Sequence, residues 1–392
     1  MITQKEAIAI VDAAVGARRL PTERISVHEA GGRFLTSDQV SKVDLPPFDK
    51  SSMDGYAVLD GDTSESFRLK GVVPAGQPCH ESLEPGTTVK VMTGAPVPAG
   101  TGRVIIVEEA VEEGGVVRFE NPSDAKNVHR KATDVAAGDI ILKAGRKLGP
   151  VEIANLIGSG ITKIDVARKV KMAIISTGDE LVDSASNLGP GKIMNTNGPL
   201  LHHLCRKAGF AITSEEWAPD DPAKLTAALR RAMGSADIIL LTGGLSAGDF
   251  DYAPGVIKEC GFEIHFSRVA IKPGKPLTFA TDAKRILFGL PGNPVSVFVM
   301  FHLFVLRAAA LLSGGAHEPK QFSIRLAEPY RRRAGERMAY FPCRIREDGF
   351  AEPVRYSGSA HLAALVNADG FCIIPKGVNS LEANADVSFM LL

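Results

Sequence analysis

The segment Leu240-Leu241-Thr242-Gly243-Gly244-Leu245-Ser246-Ala247-Gly248-Asp249-Phe250-Asp251-Tyr252 constrains this chain most, because an apolar strand runs straight into a glycine-rich turn that opens a helix. An α/β protein holds phosphate at such a place. Backbone N–H groups and the positive end of the following helix attract an anion, and glycines let the main chain approach it closely. Two further loops follow: Lys272-Pro273-Gly274-Lys275-Pro276, then Pro291-Gly292-Asn293-Pro294 after the apolar run Ile286–Leu290. Three such loops within one small domain point to a site. The first is neither G-x-G-x-x-G nor a P-loop, so their conjunction is what carries the reading.

The 392 residues exceed what one hydrophobic core organises, so two to four domains are expected, and 45% apolar with 23% charged residues is ordinary for a globular enzyme. Lys plus Arg and Asp plus Glu both number 45, which leaves no net attraction toward nucleic acid or anionic lipid. An anionic ligand must therefore be caught locally. Five scattered cysteines without a C-x-x-C pair suit a reduced, cytosolic setting. At the N-terminus, Thr3 and Glu6 open an amphipathic helix rather than a signal peptide. Residues 295–312 are apolar enough to raise a membrane question. His302, Arg307 and the preceding Gly-Asn-Pro turn favour a buried helix.

The texture of the chain divides it. Residues 1–47 read as a helix, a short strand and an extended Pro-containing segment; 48–142 as short β-runs broken by Gly and Pro; 143–168 as a return to the first region, with a helix from Pro150 stopping at Gly158-Ser159-Gly160. Over 169–315 strands and helices alternate: a strand at 170–176, a helix at 199–208, a helix at 222–233 with Asp220 and Asp221 as cap candidates, and a strand at 236–241. That rhythm implies a parallel sheet with helices on both faces and a ligand crevice at its strand C-termini. Residues 316–392 return to β. The fold class expected is multidomain α/β plus β.

Acidic residues beside phosphate loops would repel an anion unless a divalent cation intervenes, since carboxylates can hold Mg²⁺ while it bridges to phosphate oxygens. The candidates are Glu180 in Thr177-Gly178-Asp179-Glu180, Asp220, and Asp249 or Asp251. Each has a plainer reading: Asp220 or Asp221 as a helix cap, Gly-Asp-Glu as turn chemistry. Lys272 and Lys275 are either solvated loop charges or pins for an oxyanion. Asp54-Gly55 before a strand reads as a turn, His202-His203 as surface residues, and Arg331-Arg332-Arg333 as a solvated face.

Six motifs together resemble the MoeA-type molybdopterin molybdenumtransferases, the family that includes the E domains of gephyrin and plant Cnx1: Pro47–Ala57, Thr93–Pro98, Ser176–Leu181, Gly243–Tyr252, Ile271–Pro276 and Leu290–Ser296. They span nearly the whole chain in the family's order. The resemblance implies a linking α/β region, an inserted β-rich module, a MogA-like α/β module that binds molybdopterin and a C-terminal β-barrel. It also implies an elongated homodimer with its site shared between subunits, contacts with other proteins of molybdenum cofactor synthesis, and neither nucleic acid nor membrane as partner.

The reaction implied is insertion of molybdate into adenylylated molybdopterin, with Mg²⁺-dependent cleavage of the phosphoanhydride and release of AMP. Glu180, Asp220 and Asp251 match acidic positions that would hold Mg²⁺. Asp54, Thr93 and Asp134 match positions reaching in from the inserted module. Gly243, Gly244, Ser246 and Gly248, with Asp249, would hold the pterin's terminal phosphate. Lys272, Lys275 and Ser296, with Pro291 and Asn293 of the same motif, would attract molybdate and orient the dithiolene. Where Asn195 stands the family usually has an acidic residue, so charge is missing there. Two other classes compete: an idle molybdopterin carrier or scaffold, against which the retained set Asp54, Glu180, Asp220 and Asp251 argues, and an adenylylating enzyme, which would resemble residues 170–315 only.

Overall fold

The computed structural model describes residues 1–244 and 252–392; Ser246, Gly248, Asp249 and Asp251 lie outside the described residues. Helix α1 (Gln4–Val15) begins with a reciprocal cap: Thr3 Oγ1 accepts the Glu6 N–H, and the Glu6 carboxylate accepts the Thr3 N–H at 2.7 Å. Its buried Ala7, Val11 and Val15 repeat every four residues and so form one stripe. Strand β1 (Thr22–Ser26) then waits for a partner far along the chain.

Between them comes a six-stranded sheet of β2 (Gly55–Leu59), β3 (Phe67–Val73), β4 (Thr87–Val91), β5 (Thr101–Ile106), β6 (Ala110–Glu113) and β7 (Val116–Phe119), in the order β5-β2-β4-β3-β7-β6. Alternation splits its side chains between two small cores, Ala57, Val89 and Val104 on one face, Tyr56, Val58 and Ile105 on the other. Gly55 is required by a close approach rather than a hairpin turn: a Cβ there would sit 2.2 Å from the Ile105 carbonyl oxygen. The chain then returns through α2 (Pro150–Gly158) to β8 (Lys163–Ala167), which pairs antiparallel with β1, Thr22 opposite Ala167.

The α/β unit follows with β9 (Lys171–Thr177), α3 (Asn197–Lys207), β10 (Ala211–Ala218), α4 (Pro222–Met233), β11 (Ile238–Thr242), α5 (Ala253–Glu259), β12 (Glu263–Arg268), β13 (Pro276–Thr281), β14 (Ile286–Leu290), α6 (Pro294–Met300) and α7 (Leu306–Leu312). Its sheet order is β10-β9-β11-β14-β13-β12. Met172, Ile174 and Leu240 face α1, α3, α6 and α7; Ala173, Ile175 and Leu241 face α4 and α5. The sheet is mixed, not wholly parallel: β13 alone is reversed, antiparallel to β12 on one side and to β14 on the other, because the four residues joining β13 to β14 are too few for a crossover. Helix α3 begins two residues before the expected Pro199, since Asn195 Oδ1 accepts the Gly198 N–H at 3.1 Å.

A π-helical turn, Phe301–Val305, joins α6 to α7. The continuous span Pro294–Leu312 is long and apolar enough to cross a membrane, yet 72% of it is buried, with Val299, Phe301 and Phe304 in the largest core. Beyond it, β15 (Gln321–Leu326), β16 (Met338–Ile345), β17 (Phe350–Pro353), β18 (Gly370–Ile374) and β19 (Asp386–Leu391) close into a five-stranded barrel, β16-β17-β15-β19-β18 and back to β16. The chain is thus α/β plus β, with a barrel at the C-terminal end. The two-residue strand Ile271–Lys272 pairs parallel with Met338–Ala339 of β16 and stitches barrel to α/β unit.

Candidate active site at the strand ends

In chain order the sheet grows from β9 outward to β10, then returns past β9 to β11 and β14. The crevice between the C-termini of β9 and β11 is therefore a switch point, where no crossover connection covers the strand ends. Thr177 ends β9 and Thr242 ends β11, and Gly243 follows with φ of 93°. A Cβ on Gly243 would lie 2.1 Å from the Thr177 carbonyl oxygen, so only glycine lets the turn fold back over β9. Because β13 is antiparallel, the Lys272–Pro276 loop that precedes it lies at the same edge as the C-termini of the parallel strands. The Pro291–Pro294 loop, after parallel β14, lies there too.

One cavity of about 900 Å³ takes in these loops. Glu180, Gly243, Gly244, Lys272, Lys275, Pro291, Asn293 and Ser296 line it from the α/β unit. Arg331, Arg332, Arg333 and Arg337 line it from the C-terminal unit. Among the described lining residues, Lys272, Lys275 and these arginines stand against the single carboxylate of Glu180. Such a wall attracts an anion despite the chain's zero net charge.

Arg331 and Arg333 are exposed, as a solvated face requires, and only Arg332 between them departs from that expectation. Arg332 donates through Nε to the Val378 carbonyl at 2.6 Å and through its two terminal nitrogens to the Arg337 and Pro375 carbonyls, each at 2.7 Å. This guanidinium holds the loops of the cavity wall together, and exposed Arg331 and Arg333 flank it. The arginine run was visible in sequence. What was missing was the barrel closure that turns the run toward the lysine loop.

Asn197 was not among the sequence candidates. It is 7% exposed, and its Nδ2 donates to the Gly292 carbonyl at 2.7 Å and to Thr242 Oγ1 at 3.3 Å, tying the Pro-Gly-Asn-Pro loop to the end of β11. Its Oδ1 is buried without a partner among the described residues. Neither residue type nor spacing distinguishes it from a helix-start asparagine.

The acidic candidates separate. Asp221 caps α4, accepting the Lys224 N–H at 2.9 Å. Asp220 accepts from Thr177 Oγ1 at 3.0 Å and from the Asp179 N–H at 3.2 Å, which locks the ends of β9 and β10 together. Asp54 accepts the N–H and Oγ1 of Thr93 at 2.6 and 2.7 Å, and those bonds, the backbone one foremost, hold its carboxyl below the usual carboxylate range. Asp54 and Thr93 thus form one unit in the loops at one end of the inserted sheet, outside the lining of this cavity; exposed Asp134, whose N–H bonds the Leu45 carbonyl, also lies outside that lining. Asn195, at the position where an acidic residue was expected, accepts the Gly198 N–H in the first turn of α3. His202 pairs with Glu215 at 2.9 Å.

Among the described residues no three His, Cys, Asp or Glu side chains converge as a metal cage. Glu180 and Asp220 nevertheless offer hard oxygen donors beside the glycine turn. That donor chemistry suits Mg²⁺, which needs only one or two carboxylates when water and substrate phosphate complete its shell.

Comparison with known proteins follows the same plan. Three family models match: the MoeA N-terminal region (domains I and II) over residues 2–160, the probable molybdopterin binding domain over 173–310, and the MoeA C-terminal region (domain IV) over 323–392. The molybdopterin molybdenumtransferase of Haemophilus influenzae is 33% identical over 94% of this chain and 93% of its own length. That of Staphylococcus epidermidis is 30% identical over 94% and 90%. The crystal structure of the molybdopterin biosynthesis moeA protein from Pyrococcus horikoshii OT3 superposes with a TM-score of 0.86 at 29% identity, covering 100% of both chains. Matched along nearly its whole length in sequence and in fold, the chain belongs to the MoeA family, the molybdopterin molybdenumtransferases, enzymes of molybdenum cofactor biosynthesis.

Proposed function

We propose that this enzyme inserts molybdate into adenylylated molybdopterin and releases AMP. The observation that carries the reading is the cavity itself: Gly243 and Gly244 at the end of β11 line one chamber whose described wall bears Lys272, Lys275 and four arginines against one carboxylate. An oxyanion and a phosphorylated pterin are the kind of ligands such a wall attracts.

The division of labour in this reading is the one the family motifs imply. Gly243 and Gly244, with Ser246, Gly248 and Asp249, receive the pterin phosphate through backbone N–H groups. Lys272 and Lys275, assisted by Ser296 and the exposed arginines, draw in molybdate and stabilise negative charge on the departing phosphate. Pro291 and Asn293 shape the entrance to α6. Mg²⁺, held by Glu180 and Asp220 with Asp251, would neutralise the phosphoanhydride when bound. The attacking oxygen comes from molybdate or water, so no protein nucleophile is needed. Asp54, Thr93 and Asp134 enter the site from a second subunit of a homodimer, which accounts for their distance from this cavity in one chain. A cytoplasmic location and exchange with other proteins of the same pathway accompany this reading.

The test is incubation with adenylylated molybdopterin, molybdate and Mg²⁺. AMP release requiring all three, and severely reduced in Lys272→Gln, is expected. Folded protein that binds molybdopterin but releases no AMP would identify a carrier instead.

A further inference from the structure

The chain contains one tryptophan, Trp217, and 52% of its surface is exposed. It stands near the end of β10, three residues before Asp220, and its indole Nε1 donates to the Gly178 carbonyl at 3.1 Å. Strand alternation fixes its face. Glu216 pairs with Arg231 on α4 and Ala218 joins the core under α4 and α5, whereas Glu215 pairs with His202 on α3. Trp217 therefore lies on the α3 side of the sheet, the side from which Asn293 and Ser296 at the start of α6 line the cavity.

The crevice is asymmetric about the glycine turn. Toward β14 and the barrel it is a chamber rich in lysine and arginine. On the other side β10 is two strand spacings, about 10 Å, from β11. A nucleotide whose phosphate sits on the turn can carry its base over that interval. The charged chamber suits molybdate and the phosphorylated pterin, and a purine gains more from an aromatic face.

We propose that Trp217 is the stacking platform for the adenine of the adenylylated substrate, and so determines specificity for the leaving nucleotide. The proposal rests on the adenylyl reading above. The bond from Nε1 to Gly178 holds one edge of the indole, which fixes the plane of the ring before the base arrives and lowers the ordering cost of stacking. The same bond places the platform against the Thr177–Glu180 turn, so that base, anhydride and carboxylates share one rigid support.

The only tryptophan gives the experiment its readout. Full-length protein is titrated with AMP in the presence of Mg²⁺, following tryptophan fluorescence and calorimetric heat together, with ribose 5-phosphate as the probe lacking a base. Saturable quenching by AMP at the calorimetric midpoint, and none by ribose 5-phosphate, is expected. Trp217→Phe, which keeps an aromatic face but loses the N–H, should bind AMP within a few-fold of the parent. Trp217→Ala should weaken it roughly ten- to a hundredfold at an unchanged melting temperature. AMP binding without quenching, or equal affinity in Trp217→Ala, overturns the stacking role and leaves the adenylyl reading intact. Equal losses in the Phe and Ala variants show that Trp217 acts through Gly178 and overturn the platform. Absence of any AMP heat at millimolar ligand removes the adenylyl reading and this proposal with it.

Discussion

At the scale of single residues, Asn197 shows how one buried amide can set a site it does not line. Its Nδ2 spans the Gly292 carbonyl and the buried Thr242 Oγ1, so truncation removes both bonds and loosens two loops at once. Asn197→Ala should cost about 1–3 kcal/mol in urea denaturation. It should also depress AMP release by more than lost stability explains, when assayed well below the melting temperature. Glu180 and Gly243 were readable because their neighbours in sequence form the turn. Asn197 was not, because its partners come from residues 242 and 292 and only the packing of α3 beside α6 brings them together. Asp220 and Asp221 make the same point from the other side. Sequence offers two equal caps; the chain direction at the end of β10 gives the cap to Asp221 and turns Asp220 toward Thr177.

Elements carry two further predictions. The short strand Tyr330–Arg331 pairs with Ser380–Leu381, and Arg332 beside it bonds three backbone carbonyls. Arg332→Ala should lower stability by about 1.5–3 kcal/mol, whereas Arg331→Ala should leave stability nearly unchanged and weaken anion binding. Calorimetric melting beside a molybdate titration separates the two. In the Pro294–Leu312 span, His302 stacks on Phe298 with ring centroids 4.3 Å apart. Burial, foremost, holds its imidazole below the ordinary value of 6.5; the Phe298 carbonyl opposes that shift, and the charges of His317 and Lys207 add to it. The folded chain thus binds fewer protons than the unfolded one below that value. The contribution of His302 is complete above pH 6.5 and is lost as pH falls below it toward the depressed folded pKa. His302→Leu should flatten the decline of the denaturation midpoint between pH about 7.5 and about 5.5. A parallel decline in parent and variant would assign the effect to another group.

For the whole molecule, the shared site is the decisive question, since Asp54 and Thr93 lie in the loops at one end of the inserted sheet and the lysine loop lies against the barrel. If subunits complete each other, two inactive variants, Asp54→Asn and Lys272→Gln, should restore activity when mixed and refolded. A random mixture is half heterodimer with one intact site each, so about a quarter of parental activity is expected. Mixtures no more active than either variant alone would place both residues in a site within one chain.

Local rules let the sequence determine a good deal: the reciprocal Thr3–Glu6 cap, the helix stop after Gly158, the glycine at 243, the β texture on both sides of an α/β rhythm, and the family. Each depends on residues adjacent in the chain or on a whole-length pattern. Tertiary structure alone decided the antiparallel pair β12 and β13, the barrel closure that turns Arg331–Arg333 onto the lysine loop, the bridge of Asn197 and the side on which Trp217 stands. Those depend on strand order and on contacts between residues up to 95 positions apart. Residue type fixes what a side chain can bond, and chain topology fixes which partner comes within reach.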